Sequence, residues 1–205
     1  MENLKVKLIE EAHQFANDFS KKSHNKLFGI TDGKAIGTYI ENLYKDIIKT
    51  KYGVKVATAS NGIDIPNENI DIKCTLTTRP QSSCPYKSFR QKVYGLGYSI
   101  LLFTYIKNDN FDTKECKIII NGVYYISENE TSDTYITENI NYILDNSLNK
   151  EEELIELFKE VKLPADDFDL SQLAKEVLIN RPNIGKLTIS NALQWRLQYS
   201  KIVNN

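Results

Sequence analysis

"IDIPNENIDIKCT", residues 63–75, is the stretch on which the reading of this chain turns. Isoleucines at 63, 65, 70 and 72 alternate with Asp64, Asp71 and Lys73 on either side of Pro-Asn-Glu-Asn. In an extended strand, residues two apart share a face. Ile70 and Ile72 are therefore expected to face the core, with Asp71 and Lys73 on the opposite side. A turn through residues 66–69 makes the stretch a β-hairpin and brings Asp64 onto the polar face near Asp71. Two neighbouring carboxylates repel, and each raises the other's pKa unless a cation intervenes. Hard divalent cations such as Mg2+ or Mn2+ suit such a pair, with water and phosphate oxygens filling the remaining positions. A lysine beside them suits phosphate. It can orient or deprotonate an attacking water and stabilise charge on a pentacovalent phosphorus. Glu68 is a rival carboxylate, but its place in the turn favours a solvated side chain.

Working outward, the chain has 205 residues, enough for one domain or a domain with a small appendage. The formal net charge is −1, so no global basic signature marks a nucleic-acid partner, and only a local patch would. Three cysteines without regular spacing make no disulfide framework. The two histidines, His13 and His24, lie far from them in sequence, which disfavours structural zinc. The N-terminus lacks the apolar run of a leader, and the longest apolar stretch, "YSILLFTYI", suits a buried strand rather than a membrane span. A cytoplasmic protein with no membrane partner is expected. No P-loop occurs.

Residues 2–22 carry apolar positions at helical spacing. After a glycine-broken loop, "TYIENLYKDIIKTKYG" predicts a helix that stops at Gly53. "VKVATA" is strand-like, the 63–75 hairpin follows, and "LTTRPQSSCP" is a polar loop. "YKSFRQKVYGLG" predicts a helix, and "YSILLFTYIK" a central strand. "CKIIINGVYYIS" predicts two strands joined at Asn121-Gly122, a strong hairpin signal. From about residue 145 the pattern becomes helical. Glu151–Glu153 suit a helix N-terminus, "DLSQLAKEVLIN" predicts a second helix capped by Asp169 or Ser171, and "TISNALQWRLQYSKIV" a third capped by Thr188 or Ser190. The expected fold class is α/β, with a mixed central sheet flanked by helices. Residues 1–147 form the core, and residues 148–205 a helical subdomain that either buttresses it or acts in helix-turn-helix fashion.

Asp64 followed by Asp71-Ile72-Lys73 resembles the PD-(D/E)xK nuclease superfamily. There, an Asp on one strand, then Asp or Glu, any residue and Lys on the next, bind metal and cut phosphodiester bonds. The Pro of the namesake motif is absent, and Ile63 stands in its place. Many members carry an acidic residue on the preceding helix, and "GKAIGTYIENLY" puts Glu41 there, behind a glycine-rich approach like those of type II restriction endonucleases. The basic helix after the D-x-K strand, with Gln91 resembling a glutamine some members carry, completes the order. The resemblance covers residues 34–106 and, more loosely, the C-terminal tail. It implies a restriction-endonuclease-like core and Mg2+, replaceable by Mn2+, on Asp64, Asp71 and the Ile72 backbone carbonyl. Glu41 would hold the metal shell or a bound water, and Lys73 would activate the attacking water. It further implies double-stranded DNA as substrate, a homodimer on a palindromic site, and a methyltransferase protecting host DNA.

Arg79, Gln81, Ser82, Ser83, Lys87, Arg90 and Lys92 directly follow the proposed site, where DNA must lie, and such side chains contact phosphates and base edges. Gln91 either orients water or belongs to the surface. In the tail, Asn191, Gln194 and Arg196 share a helical face suited to DNA recognition, and Trp195 is expected to be a packing anchor. Two further readings stay open: a repair or recombination endonuclease that reads DNA structure, and a DNA-binding regulator in which the acidic hairpin is inert.

Overall fold

The computed structural model describes residues 3–57, 62–190 and 195–203, with the side chains of 195 and 196 outside the description. The chain forms two compact units. The first comprises Met1–Ser82, Tyr98–Ile126 and Ile202–Asn205, and the second Ser83–Gly97 and Ser127–Lys201.

The first unit holds α1 (Leu4–Ser20), α2 (Gly33–Tyr52) and β1 (Ile70–Leu76). A short strand, β2 (Gln81–Cys84), runs across the boundary into the second unit. The second unit then carries one helical turn, α3 (Gln91–Tyr94). The chain returns to the first unit as β3 (Ser99–Asn110) and β4 (Glu115–Ile126). The sheet order is β1-β3-β4, with β1 parallel and β4 antiparallel to β3. The expected mixed α/β core with a central "YSILLFTYIK" strand is present. Phe15 from α1, Ile40 and Tyr44 from α2, and Ile72 and Phe103 from the sheet share one buried cluster. Each helix buries one stripe. Asp32 caps α2 at its start through Lys34 N–H, and Gly53 ends it in the left-handed region at φ 66°, as the sequence predicts. The outer edge of β4 is covered: Ser20 accepts from Ile120 N–H, and Asn25 from Cys116 N–H.

The Asn121-Gly122 hairpin does not form. β4 runs unbroken through both residues against the single long partner β3. Thr104 pairs with Gly122 and Tyr105 with Ile120, so Asn121 is the extra residue of a bulge. Its amide oxygen accepts from the hydroxyls of Thr77 and Thr104. A Cβ on Gly122 would lie 2.5 Å from Thr104 Oγ1. The dipeptide therefore serves close approach within a strand, not reversal.

Three other expectations need correction. Val54–Ala57 form no strand, and the rest of "VKVATA" lies outside the described residues. The helix expected over 86–97 is only the four-residue α3, because the chain turns at Gly95 (φ 92°), where a Cβ would meet Glu128 O at 2.8 Å. The third C-terminal helix is not found among the described residues. Its sequence instead supplies β5 (Thr188–Ser190) and β6 (Trp195–Gln198), paired antiparallel, then a single turn α7 (Ser200–Val203). The buried residues there are Leu187 and Ile189, then Leu197 and Tyr199, each pair two apart. That strand period coexisted in the sequence with a helical one, and fixed partners decided between them. Asp133 accepts from Ile189 N–H at 2.7 Å, and Leu187 O accepts from Thr134 N–H at 2.7 Å.

The second unit also contains α4 (Thr134–Asn146), α5 (Lys150–Glu160) and α6 (Asp167–Ile179), with a core of Ile136, Ile140, Phe158, Leu173 and Val177. The helix α4 was not anticipated, although Ile136, Ile140 and Ile143 have helical spacing and Asp133 caps it through Ile136 N–H. Glu151–Glu153 occupy the first turn of α5 as expected, whereas the α6 cap is Asp166 rather than Asp169 or Ser171. Among the described residues no helix is long and apolar enough to cross a membrane.

Candidate active site

The hairpin of residues 63–75 is present in reduced form. Ile65 and Ile70 exchange both backbone hydrogen bonds, at 2.9 and 3.2 Å, around a 3-10 turn at Pro66–Glu68. One step further, pairing changes character. The Asp64 side chain, not its backbone, accepts from Ile72 N–H at 2.9 Å. β1 is the edge strand of its sheet, and alternate residues point their backbone groups outward. The Ile72 carbonyl therefore faces the same edge of the sheet as Asp64. The aspartate that interrupts the isoleucines thus puts its carboxylate where a strand partner would be.

Asp71 and Lys73 share the other face of β1, with Lys73 Nζ 2.7 Å from Asp71 Oδ2. Asp71 is only 3% exposed, so this face is covered as well. Helix α2 supplies the rest through one row of positions four apart, Gly37, Glu41 and Lys45. A Cβ on Gly37 would lie 3.3 Å from Cys74 O and 3.6 Å from Cys74 Cβ, so glycine lets the helix come close to β1. One turn on, Glu41 enters the field of Lys73, Asp64, Lys45 and Asp71. A further turn on, Lys45 Nζ is 2.5 Å from Asp64 Oδ1, and both side chains are largely buried.

Three carboxylates thus face two lysines. Burial pushes the Glu41 carboxyl up to about 7, against the pull of Lys73. Burial likewise pushes Asp71 up to about 6 even with Lys73 beside it, and the nearby Asp64 adds to the rise. Burial alone would lower the Lys73 pKa, but Asp71, Glu41 and Asp64 outweigh it and hold it above the usual lysine value. The cluster is short of positive charge, and its donors are hard oxygens, so it fits a divalent cation such as Mg2+. Among the described residues, however, no three acidic, histidine or cysteine side chains already stand at metal-binding geometry. Asp64 has one oxygen on Lys45 and the other on Ile72 N–H. Lys45 escaped the sequence reading, although its spacing of four from Glu41 was legible.

The expected DNA-contacting residues divide between the two units. Arg79 and Gln81 are exposed and Ser82 half-buried, just beyond β1, in the first. Ser83 and Lys87 are exposed in the second. Arg90 there donates to Glu176 at 2.9 Å and lies over the Phe89 ring. Gln91 is buried, its Oε1 accepting from Lys87 N–H and Ser88 N–H, so it closes a turn of its own unit. Lys92 is buried too, and burial lowers its pKa. Glu68 sits in the 3-10 turn. Arg196 lies on β6 instead of a helix, its side chain outside the description, and Asn191 and Gln194 lie outside the described residues.

Residues 3–205 match the family described as type II restriction enzyme NspV. The chain is 45% identical to the type II restriction enzyme NspV of Nostoc sp. over 177 residues, covering 86% of this chain and 80% of that protein. No solved structure matches. The chain belongs to the NspV family of type II restriction enzymes.

Proposed function

We propose that this restriction endonuclease is a Mg2+-dependent enzyme of the PD-(D/E)xK type, hydrolysing phosphodiester bonds in double-stranded DNA at a short specific sequence. The observation that carries the reading is the convergence of Glu41, Asp64, Asp71 and Lys73 from a helix, a turn and a strand around the edge strand β1. Asp64, Asp71 and the Ile72 carbonyl would hold the cation, with Glu41 at its shell, and Mn2+ would substitute. When bound, the cation supplies Lewis-acid stabilisation of the phosphate oxygens and a more acidic water.

The chain's own groups do the remaining work. The carboxylates hold Lys73 above its usual value in the metal-free cluster, and as an ammonium it would orient the attacking water and offset charge at phosphorus. Burial raises Glu41 in the metal-free cluster, and a bound cation would draw it to the carboxylate, which could accept a hydrogen bond from the water. Attack in line would leave a 3′-hydroxyl and a 5′-phosphate. Arg79, Gln81, Ser82, Ser83 and Lys87 are the nearest polar side chains along the chain for DNA contact. The structural duties of Arg90, Gln91 and Lys92 favour shaping a DNA-facing loop over touching bases. A palindromic site would call for a homodimer, each subunit cutting one strand, and the host would need a methyltransferase.

The test is digestion of unmethylated phage DNA by the purified protein with Mg2+ or EDTA, beside Asp71→Ala and Lys73→Ala. Discrete bands that need Mg2+ and vanish in both variants are expected, and the sequenced ends would give the site. Cutting unchanged in the variants would remove this cluster from the mechanism.

A further inference from the structure

Lys45 has no part in the scheme above, yet it makes the closest polar contact of the cluster. Its ammonium stands 2.5 Å from Asp64 Oδ1, and the two side chains are 14% and 13% exposed. The other Asp64 oxygen is held by Ile72 N–H. Each Asp64 oxygen thus already holds a donor, and the ammonium on Oδ1 puts a positive charge where a cation would have to approach.

We propose that Lys45 is a built-in counter-ion that occupies the cation's place on Asp64, so that binding a divalent cation and releasing Lys45 from Asp64 are one exchange. The inference rests on the metal-site reading given above. Charge balance supports it. Glu41, Asp64 and Asp71, when ionised, are neutralised by Lys73 together with one divalent cation, and Lys45 would then be one positive charge in excess. Without the cation, Lys45 and Lys73 still leave the cluster one positive charge short, which is why it favours an incoming ion. The position of Lys45 on α2 also supports it. The side chain emerges two turns after Gly37, where helix and strand touch, so the backbone stays anchored while a long flexible side chain moves aside. Lys45 is a positioning residue in this exchange: it keeps Asp64 ordered in the metal-free protein and sets the cation concentration at which the site loads.

The experiment is calorimetric titration of the full-length protein with Mn2+ at neutral pH, without DNA, so that no turnover intervenes. Lys45→Met and Lys45→Gln should both bind Mn2+ about tenfold more tightly than the parent, because a competing unit charge in a partly buried site is removed. Lys49→Met, an exposed lysine one turn on, should change affinity by less than about twofold, since its charge is screened by solvent. The gain should vanish when Asp64→Asn is combined with Lys45→Met. A lysine that merely braces the fold would lower thermal stability without tightening Mn2+ binding. Unchanged or weaker binding in folded Lys45 variants would overturn the proposal, as would an equal gain in Lys49→Met or a gain that survives Asp64→Asn. If Mn2+ binding is lost in Asp71→Asn but unaltered in the Lys45 variants, the metal-site reading stands and only this proposal fails. Absence of Mn2+ binding in every variant would remove both.

Discussion

On β1 the order is Asp71-Ile72-Lys73, and on β3 of the same sheet it is Lys107-Asn108-Asp109. Both are lysine–aspartate pairs two residues apart on one strand face, in ion-pair contact and largely buried. They behave oppositely. The Lys107 hydrogen bond, helped by Gly29 N–H, holds Asp109 below the usual carboxylate value. Asp71 is pushed above it, to about 6, by burial that Lys73 does not offset and by the neighbouring Asp64. The pair on β3 joins one acid and one base, with a backbone donor and the Cys116 thiol beside Asp109. The pair on β1 shares its lysine with Glu41 and Asp64, and that surplus of acid gives it chemistry. A triplet of acid, spacer and lysine thus marks nothing by itself, and what distinguishes the two is first the deeper burial of Asp71 and then the acids that α2 and the Asp64 turn bring to it.

The comparison breaks most sharply on activity. Asp71→Asn is expected to lower the single-turnover cleavage rate by about 10³-fold or more, as losing a metal ligand does. Asp109→Asn should leave the rate within about twofold and lower only the melting temperature. Equal loss of cleavage in both would erase the distinction. Next in size, Glu41→Gln should slow cleavage by about 10–10²-fold while the protein stays folded, because it keeps the side-chain shape and removes a charge at the edge of the site. A rate equal to the parent's would take Glu41 out of the machinery.

A third expectation concerns pH. Glu41 is raised in the folded state, from an ordinary value near 4.5 to about 7. The folded protein therefore holds this proton more tightly than the unfolded chain. In EDTA, the stability it contributes should be full below about 4.5 and lost as pH rises through about 7, a change on the order of 1–3 kcal/mol. Asp71 acts in the same direction over a lower window, ending near 6. Asp109, being lowered, acts oppositely: its contribution is present at neutral pH and lost on acidification. Melting curves from pH 5 to 8 should fall in the parent and flatten in Glu41→Gln, and Mg2+ at pH 8 should restore the loss in the parent. A flat parent curve would contradict the charge surplus.

The smallest effect is expected at Gly37→Ala. Alanine favours a helix interior by about 1 kcal/mol over glycine, but its Cβ would press on Cys74 O at 3.3 Å. The melting temperature should change by only about 2 °C, since the two effects oppose, while cleavage falls several-fold as α2 shifts against β1. Unaltered cleavage would mean that the approach of α2 tolerates the displacement.

Much of the first unit was legible in the sequence because it depends on local order. The stripe of α2 and its stop at Gly53, the alternation of β1 and the apolar run of β3 are set by neighbours within a few residues. So were the candidates Glu41, Asp64, Asp71 and Lys73, since their residue types and spacing are sequence properties. The sequence by itself could not decide where two local patterns were equally good. Residues 188–190 and 195–198 fit a helix and a pair of strands alike, and the partners that Asp133 and Thr134 offer to the backbone of 187–189 settled it. Asn121-Gly122 is a turn signal that became a bulge because one long strand, β3, pairs on both sides of it. Tertiary structure alone decided the charge state of the site. Lys45 meets Asp64 across 19 residues of chain, and Gly37 sets how near the helix carrying Lys45 comes to β1. Short-range pattern fixes which side chains a segment presents, whereas burial and the convergence of separate segments fix which of them share a proton, a cation or a partner.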